Sequence, residues 1–298
     1  MMTLTPLNDD EWTADALAAR TQALILLGSL LSDRSAGDSV WTQLRSEPTP
    51  FFSLLLQCLE SDVTELQDAG LFCLTQLSQS AGNRKHPDKT KDGSCIELLD
   101  SLKALRFDTR ELCAGDSNDC QPEYLAEELC RSLMLMYQNM ALQGRNVHES
   151  SQDERWCCLC SCLSSLLSVS ARSRLYCVHR QFTRALLATL QTVRDRLSIL
   201  GQPVEVIRNA NNNPTLRTLY WVLTLISCLI LDCPPAKESL AEDNMALSLN
   251  RLWPWCMMTE QLREAVVHLL LTFTNQCPKA CSSMCLCVGG RSLLLESC

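Results

Sequence analysis

Leucine returns to one face of a helix along almost the whole of this chain, and that spacing restricts it to one kind of secondary structure. From Trp12 to Leu31, Leu17, Leu24, Leu27 and Leu31 recur at the three-to-four-residue interval of an amphipathic helix. Leu66, Leu74 and Leu77 repeat the pattern in Val63–Leu77, and Leu125, Leu129, Leu133, Met136 and Met140 repeat it in Pro122–Leu142. A sheet has little to work with, because 10 Gly and 11 Pro in 298 residues leave few turns and aromatics make up only 5%. The expected class is all-α.

Helix-start and helix-stop residues divide the pattern. Pro48 and Pro50 precede a helix over Phe51–Leu59, and Pro122 takes the first position of its own helix. Glu154–Val169 is followed by the longest helix, Leu175–Leu200, closed by Gly201 and Pro203. Asn213 followed by Pro214 supplies an N-cap and an N1 proline for an apolar helix reaching Leu231. Pro234 and Pro235 stop it, and Ala236–Leu252, Thr259–Asn275 and Pro278–Leu295 complete the chain as helices with short links. Three polar stretches, 80–94, 107–121 and 144–153, read as exposed flexible loops, the first two flanking a short helix over Cys95–Arg106.

Two internal echoes point to repetition. Asp232-Cys-Pro-Pro-Ala-Lys returns in weakened form as Gln276-Cys-Pro-Lys-Ala, and Cys233 and Cys277 stand 44 residues apart. Leu31-Ser-Asp-Arg-Ser-Ala-Gly returns as Leu77-Ser-Gln-Ser-Ala-Gly, with Gly37 and Gly82 separated by 45. Both intervals match the period of HEAT and armadillo units, each too small to bury its apolar face without a neighbour. The reading is an armadillo/HEAT-like helical-repeat solenoid over 1–298, divisible into 1–142 and 154–298; an ordinary helical bundle with chance echoes is the alternative.

A net charge of -8 and a pI near 5.1 give no general attraction to phosphate backbones or anionic lipid, so nucleic acid is not an expected partner. The charge is uneven: eight arginines face only Asp195 and Glu205 between Ala171 and Arg217. The stretch before Asp15 carries Asp9, Asp10 and Glu11 where a signal peptide needs basic residues, and the apolar run Thr218–Leu231 falls short of the roughly 20 residues of a bilayer span. The expectation is a cytoplasmic chain without membrane insertion. Its 19 cysteines then read as reduced, small hydrophobes.

Chemistry finds no obvious seat. Cys157 and Cys160 have the spacing of a zinc half-site, but only Cys177 and His179 follow where a second pair belongs. Cys281 and Cys285 lie one helical turn apart and read as sharing a core face with Cys287 nearby, and His268 sits in an apolar helix, where it reads as a hydrogen-bonded core residue. No Gly-rich phosphate loop, H-E-x-x-H or G-x-S-x-G occurs, so no catalytic, metal or cofactor residues and no small-molecule substrate are expected. An enzyme built on a Cys/His site would instead show one thiol alkylated far faster than the rest.

Two features are candidates for protein binding. Arg180, Arg184 and Arg194 project from one side of the 175–200 helix, opposite Phe182, Leu186, Leu190, Val193 and Leu197, and could pair with carboxylates of a partner or simply be solvated. In Trp253-Pro254-Trp255 the proline ends a helix, and two large aromatics need cover from neighbouring repeats or a partner.

Asn250-Arg-Leu-Trp-Pro-Trp-Cys-Met-Met, then Leu269-Leu-Leu-Thr-Phe-Thr-Asn, then Cys281-Ser-Ser-Met-Cys, resembles the carboxyl-terminal end of rotatin, the large armadillo-like protein of centrioles and ciliary basal bodies. Leu219–Lys237 resembles the same region, so the likeness covers about the last third of the chain. It implies a centrosomal and basal-body scaffold needed for centriole integrity, cilium formation and left-right axis formation, with centriolar protein partners and no catalytic residues. Rotatins are many times longer, which implies a C-terminal fragment or short isoform starting at Met1. The competing function is an unrelated HEAT or armadillo adaptor gripping extended peptides in transport or signalling.

Overall fold

The computed structural model describes residues 14–33, 36, 37, 39, 40, 48–85, 122–143, 150–199 and 213–287. Among these residues there are twelve helices and no strand. The chain divides into two compact units, Met1–Ser173 and Arg174–Cys298. The division falls inside the helix Ala171–His179 and not at the polar stretch 144–153, because the helix after that stretch packs back on its predecessors.

The first unit contains α1 (Ala14–Ser32), α2 (Pro48–Glu60), α3 (Thr64–Lys85), α4 (Pro122–Gln143) and α5 (Ser150–Val169). Helices that touch at a constant sequence difference run parallel and in step; those that touch at a constant sum run antiparallel. Gly28 meets Phe72, and the Ser32 hydroxyl donates to Gln76 Oε1 at 2.6 Å, both 44 residues on, so α1 and α3 are parallel. Arg155 Nε lies 2.7 Å from Asp68 Oδ1, and Thr75 Oγ1 lies 3.3 Å from Cys162 Sγ, both 87 residues on, which makes α5 parallel to α3. The three therefore form one layer.

The remaining two helices close hairpins on that layer. Gly70 packs on Leu59 while Gln67 Nε2 donates to the Ser61 carbonyl at 2.6 Å, so α2 descends against α3. The rings of Tyr137 and Trp156 meet at a tilt with centroids 4.7 Å apart, and Arg172, just beyond the end of α5, pairs with Glu127, so α4 descends against α5. Glu60 Oε1 accepts from Arg131 Nη2 and from Ser132 Oγ, both at 2.9 Å, and joins α2 to α4 in a second layer.

Residues read as loops start and end these helices. α5 begins at Ser150, inside the 144–153 stretch. α3 continues to Lys85, well into the 80–94 stretch, since nothing between Ser78 and Lys85 forbids a helix and the next proline is Pro87. The rest of both stretches, together with 95–106 and 107–121, lies outside the described residues. α1, and not the shorter run at 218–231, is among the described residues the one helix long and apolar enough to cross a membrane. It buries Leu24, Gly28 and Leu31 on the side of α3.

The second unit holds most of α6 (Ala171–His179) and all of α7 (Phe182–Ile199), α8 (Pro214–Ile230), α9 (Pro234–Glu242), α10 (Met245–Cys256), α11 (Glu260–Thr274) and α12 (Pro278–Cys287). Capping follows the sequence signals: Asn213 Oδ1 accepts from the amides of Thr215 at 2.9 Å and Leu216 at 3.3 Å, and Thr259 Oγ1 accepts from the amide of Leu262 at 3.2 Å. Packing is periodic, with α7 on α10, α8 on α11 and α9 on α12.

Two kinds of corner mark that period. Asp232 and Gln276 adopt φ of 46° and 55°, each just past a long helix and just before a buried cysteine and a proline. Gln181 and Asn244 adopt φ of 56° and 60°, each just past a short helix. These last two corners split the helices expected to be continuous over Leu175–Leu200 and Ala236–Leu252. No glycine or proline announces them, and the apolar stripe resumes on the far side, so periodicity runs straight across. α10 departs in the opposite sense: it continues through Pro254 to Cys256, with Trp255 and Cys256 buried beyond the proline.

The 44-residue echo acquires a physical link. Lys237, in the first copy of the motif, is buried and donates from Nζ to the carbonyl of Asn275 at 2.8 Å, at the C-terminal end of α11. Lys279, in the second copy, pairs with Glu242 at 3.0 Å and Glu238 at 3.6 Å, tying α12 to α9.

A Cβ on Gly28 would stand 2.6 Å from Phe72 Cε1. Gly28→Val is expected to cost about 2 kcal/mol in urea denaturation, with Gly28→Val/Phe72→Ala costing less than the sum of the single changes. Asn213→Ala is expected to cost about 1 kcal/mol by the same measurement.

Candidate interaction surface

The three arginines do not share one face. Arg180 stands in the turn after α6 with its guanidinium 5.5 Å from the centre of the Tyr176 ring. Arg184 is exposed on α7, donates to Gln181 Oε1 at 3.1 Å and reaches Asp243 Oδ1 at 3.9 Å, at the corner between α9 and α10. Arg194 holds its neighbour Asp195 through Nε at 3.0 Å and Nη2 at 2.7 Å. The corner at Gln181 removes Arg180 from the helix carrying the other two, and internal acids engage those.

The tryptophans divide in the same way. Trp255 is buried in α10 with 7% of its surface exposed, while Trp253 is half-buried. Trp255 is therefore a packing residue. His268, read as a core residue, is exposed: the buried stripe of α11 is Leu262, Val266, Leu269 and Phe273, and His268 turns away from it. Cys281 and Cys285 are exposed on α12 rather than sharing a core face, since Ala280 and Cys277 take the inner positions. Nothing is described for the side chain of Cys287.

Most other described thiols are interior. Burial pushes Cys58 up to about 11 and Cys73 and Cys256 up to about 12. Burial also takes Cys162 up to about 12, against the opposing hydrogen bond from Thr75, and raises Cys160 well above the ordinary thiol value. A protonated buried thiol is a poor nucleophile and a poor metal ligand. Cys157 and Cys158 are half-buried, and among the described residues no group of three or more His, Cys, Asp or Glu is placed to hold a metal ion.

Between the parallel helices α8 and α11 lies an open groove of about 260 Å³, walled by Tyr220, Thr224 and Cys228 on one side and Gln261, Glu264 and His268 on the other. A hydroxyl, an amide, a carboxylate and an imidazole thus stand along a largely apolar trough. The sequence carried a signal for it: Tyr220, Thr224 and Cys228 interrupt the most apolar helix at i, i+4 intervals, as do Glu264 and His268 on its partner. No motif search would have joined the two.

Comparison with known proteins agrees with a remote kinship. A stretch of 124 residues, 41% of this chain, is 23% identical to Rotatin of Mus musculus and, equally, to Rotatin of Homo sapiens. It spans only 6% of the length of each. No family model matches the chain, and no solved structure matches it. What is shown is a distant rotatin-like relationship within an all-α chain.

Because the buried thiols hold their protons more tightly folded than unfolded, their contribution to stability is complete below the ordinary thiol value of 9.0 and is lost as pH rises towards about 12. Helicity followed by circular dichroism is expected to hold from about pH 7 to 9 and to fall between about 9 and 12. Among the described thiols, at neutral pH iodoacetamide is expected to modify Cys281 and Cys285 first and to reach Cys73, Cys160, Cys162 and Cys256 only in denaturant, as peptide mass mapping would report.

Proposed function

We infer that this chain is an armadillo-like helical-repeat scaffold that docks other proteins and catalyses no reaction. The observation that carries the reading is the recurrence of whole packing units, seen in the 44-residue step between α1 and α3 and in the matched corners at Asp232 and Gln276. Units of this kind stack one on the next and leave long flanks free for other chains. Raised thiols and the absence of a catalytic motif leave little on which a reaction could run.

The distant likeness to rotatin supports a role in centriole integrity and in basal body and cilium formation, with centriolar proteins as partners. The activity of those far longer proteins comes to this chain only as part of this proposal. The groove between α8 and α11 favours a second reading, an unrelated adaptor that binds extended peptides in transport or signalling.

A fluorescently tagged chain, imaged in dividing and ciliated cells with a centrosome marker, separates the two. Foci coincident with the marker, and centriolar proteins recovered by proximity labelling, are expected. A diffuse or nuclear-rim signal would transfer the argument to the adaptor.

A further inference from the structure

α8 and α11 occupy equivalent places. Each ends in an extended cap, Leu231 or Asn275, followed by a left-handed residue and a buried cysteine, and the two sets lie 44 residues apart. Shifting by 44 therefore pairs Leu216–Ile230 of α8 with Glu260–Thr274 of α11. Ser227 lines the groove against α11, and Leu223 lies one turn below it; they are 4% and 0% exposed. Their counterparts on α11, Leu271 and Val267, are 66% and 38% exposed. Buried Leu219 corresponds to exposed Arg263, which has no ion pair among the described residues. At these positions α8 is covered by its neighbours, with Ser227 on the α11 side, whereas α11 is left open.

We propose that this flank of α11 docks an amphipathic helix of a partner protein, laid parallel to α11 as α11 lies on α8. Its apolar stripe covers Val267 and Leu271, and a carboxylate near its start meets Arg263. Two observations choose this occupant. The first is continuity with the existing α8–α11 interface, whose neighbour on the same flank is a helix. The second is charge: the groove lining runs from Tyr220 to Cys228 on α8 and from Gln261 to His268 on α11, so with the two helices parallel Leu219 precedes the first run as Glu260 precedes the second. Carried on by one unit, the same register sets a carboxylate like that of Glu260 level with Arg263. α11 itself, with its buried Leu262, Val266, Leu269 and Phe273 after an acidic start, is a template for the partner helix. The proposal rests on the protein-docking reading above and names the partner's chemistry.

The probe is a fluorescein-labelled peptide of residues 260–274, stapled on the face away from its apolar stripe and titrated by anisotropy against the full chain. Saturable binding is expected, weakened about tenfold or more by Leu271→Glu and by Arg263→Glu, with the second loss recovered by a Glu260→Lys peptide. Both substitutions are at exposed positions, and unchanged helicity and melting confirm the folded state. Absence of binding, or equal binding by wild type and both variants, overturns the proposal. So does a wild-type dimer in sedimentation that Leu271→Glu converts to monomer, which would assign the flank to a second copy. A tenfold gain in peptide affinity on ending the chain at Cys287 would assign it to residues 288–298 and overturn it as well. Loss of peptide binding with centrosomal foci intact refutes this inference alone, whereas diffuse localisation with binding intact refutes the centriolar reading alone.

Discussion

A helix with an apolar stripe cannot bury that stripe by itself, and each unit of this chain is organised by that constraint. In the first unit the answer is a layer of parallel helices in step, α1, α3 and α5, each lending its flank to the next. The step is held closely enough that Gly28 admits the Phe72 ring where a methyl group would collide. Hydrogen bonds and ion pairs such as Ser32–Gln76 and Arg155–Asp68 then select the register within a contact that apolar burial creates.

The second unit meets the same constraint with tighter corners. Left-handed residues at Gln181, Asp232, Asn244 and Gln276 let the chain reverse without a long loop. Small buried thiols at Cys233 and Cys277 fit beneath two of those corners, a use of cysteine that needs volume and no reactivity. Buried Lys237 would be costly if unpaired, and its bond to the Asn275 carbonyl sets its charge at the negative end of α11.

A functional consequence follows from open flanks. Interior helices such as α8 and α3 are almost wholly occupied by their neighbours, so what remains for other molecules lies along grooves and at the last helix. The prominent residues of the linear sequence are partly engaged within the chain itself. Arg184 and Arg194 answer to Asp243 and Asp195, and Trp255 fills the interior of its own unit, whereas the modest residues Val267, His268 and Leu271 stand exposed.

Sequence by itself determined the helical class, the apolar stripes, the cap at Asn213, and the 44-residue echo, because each depends on neighbours within a few residues or on direct repetition. It also carried the resemblance to rotatin, which the comparisons support only as a distant one. Tertiary structure alone decided where the corners fall, since two residues without glycine or proline can break a helix when packing on both sides rewards the turn. It alone decided which flank of each stripe is covered. Periodicity tells how a residue is placed around its own helix axis, but exposure depends on whether another helix arrives there, and that is a property of partners distant in the chain.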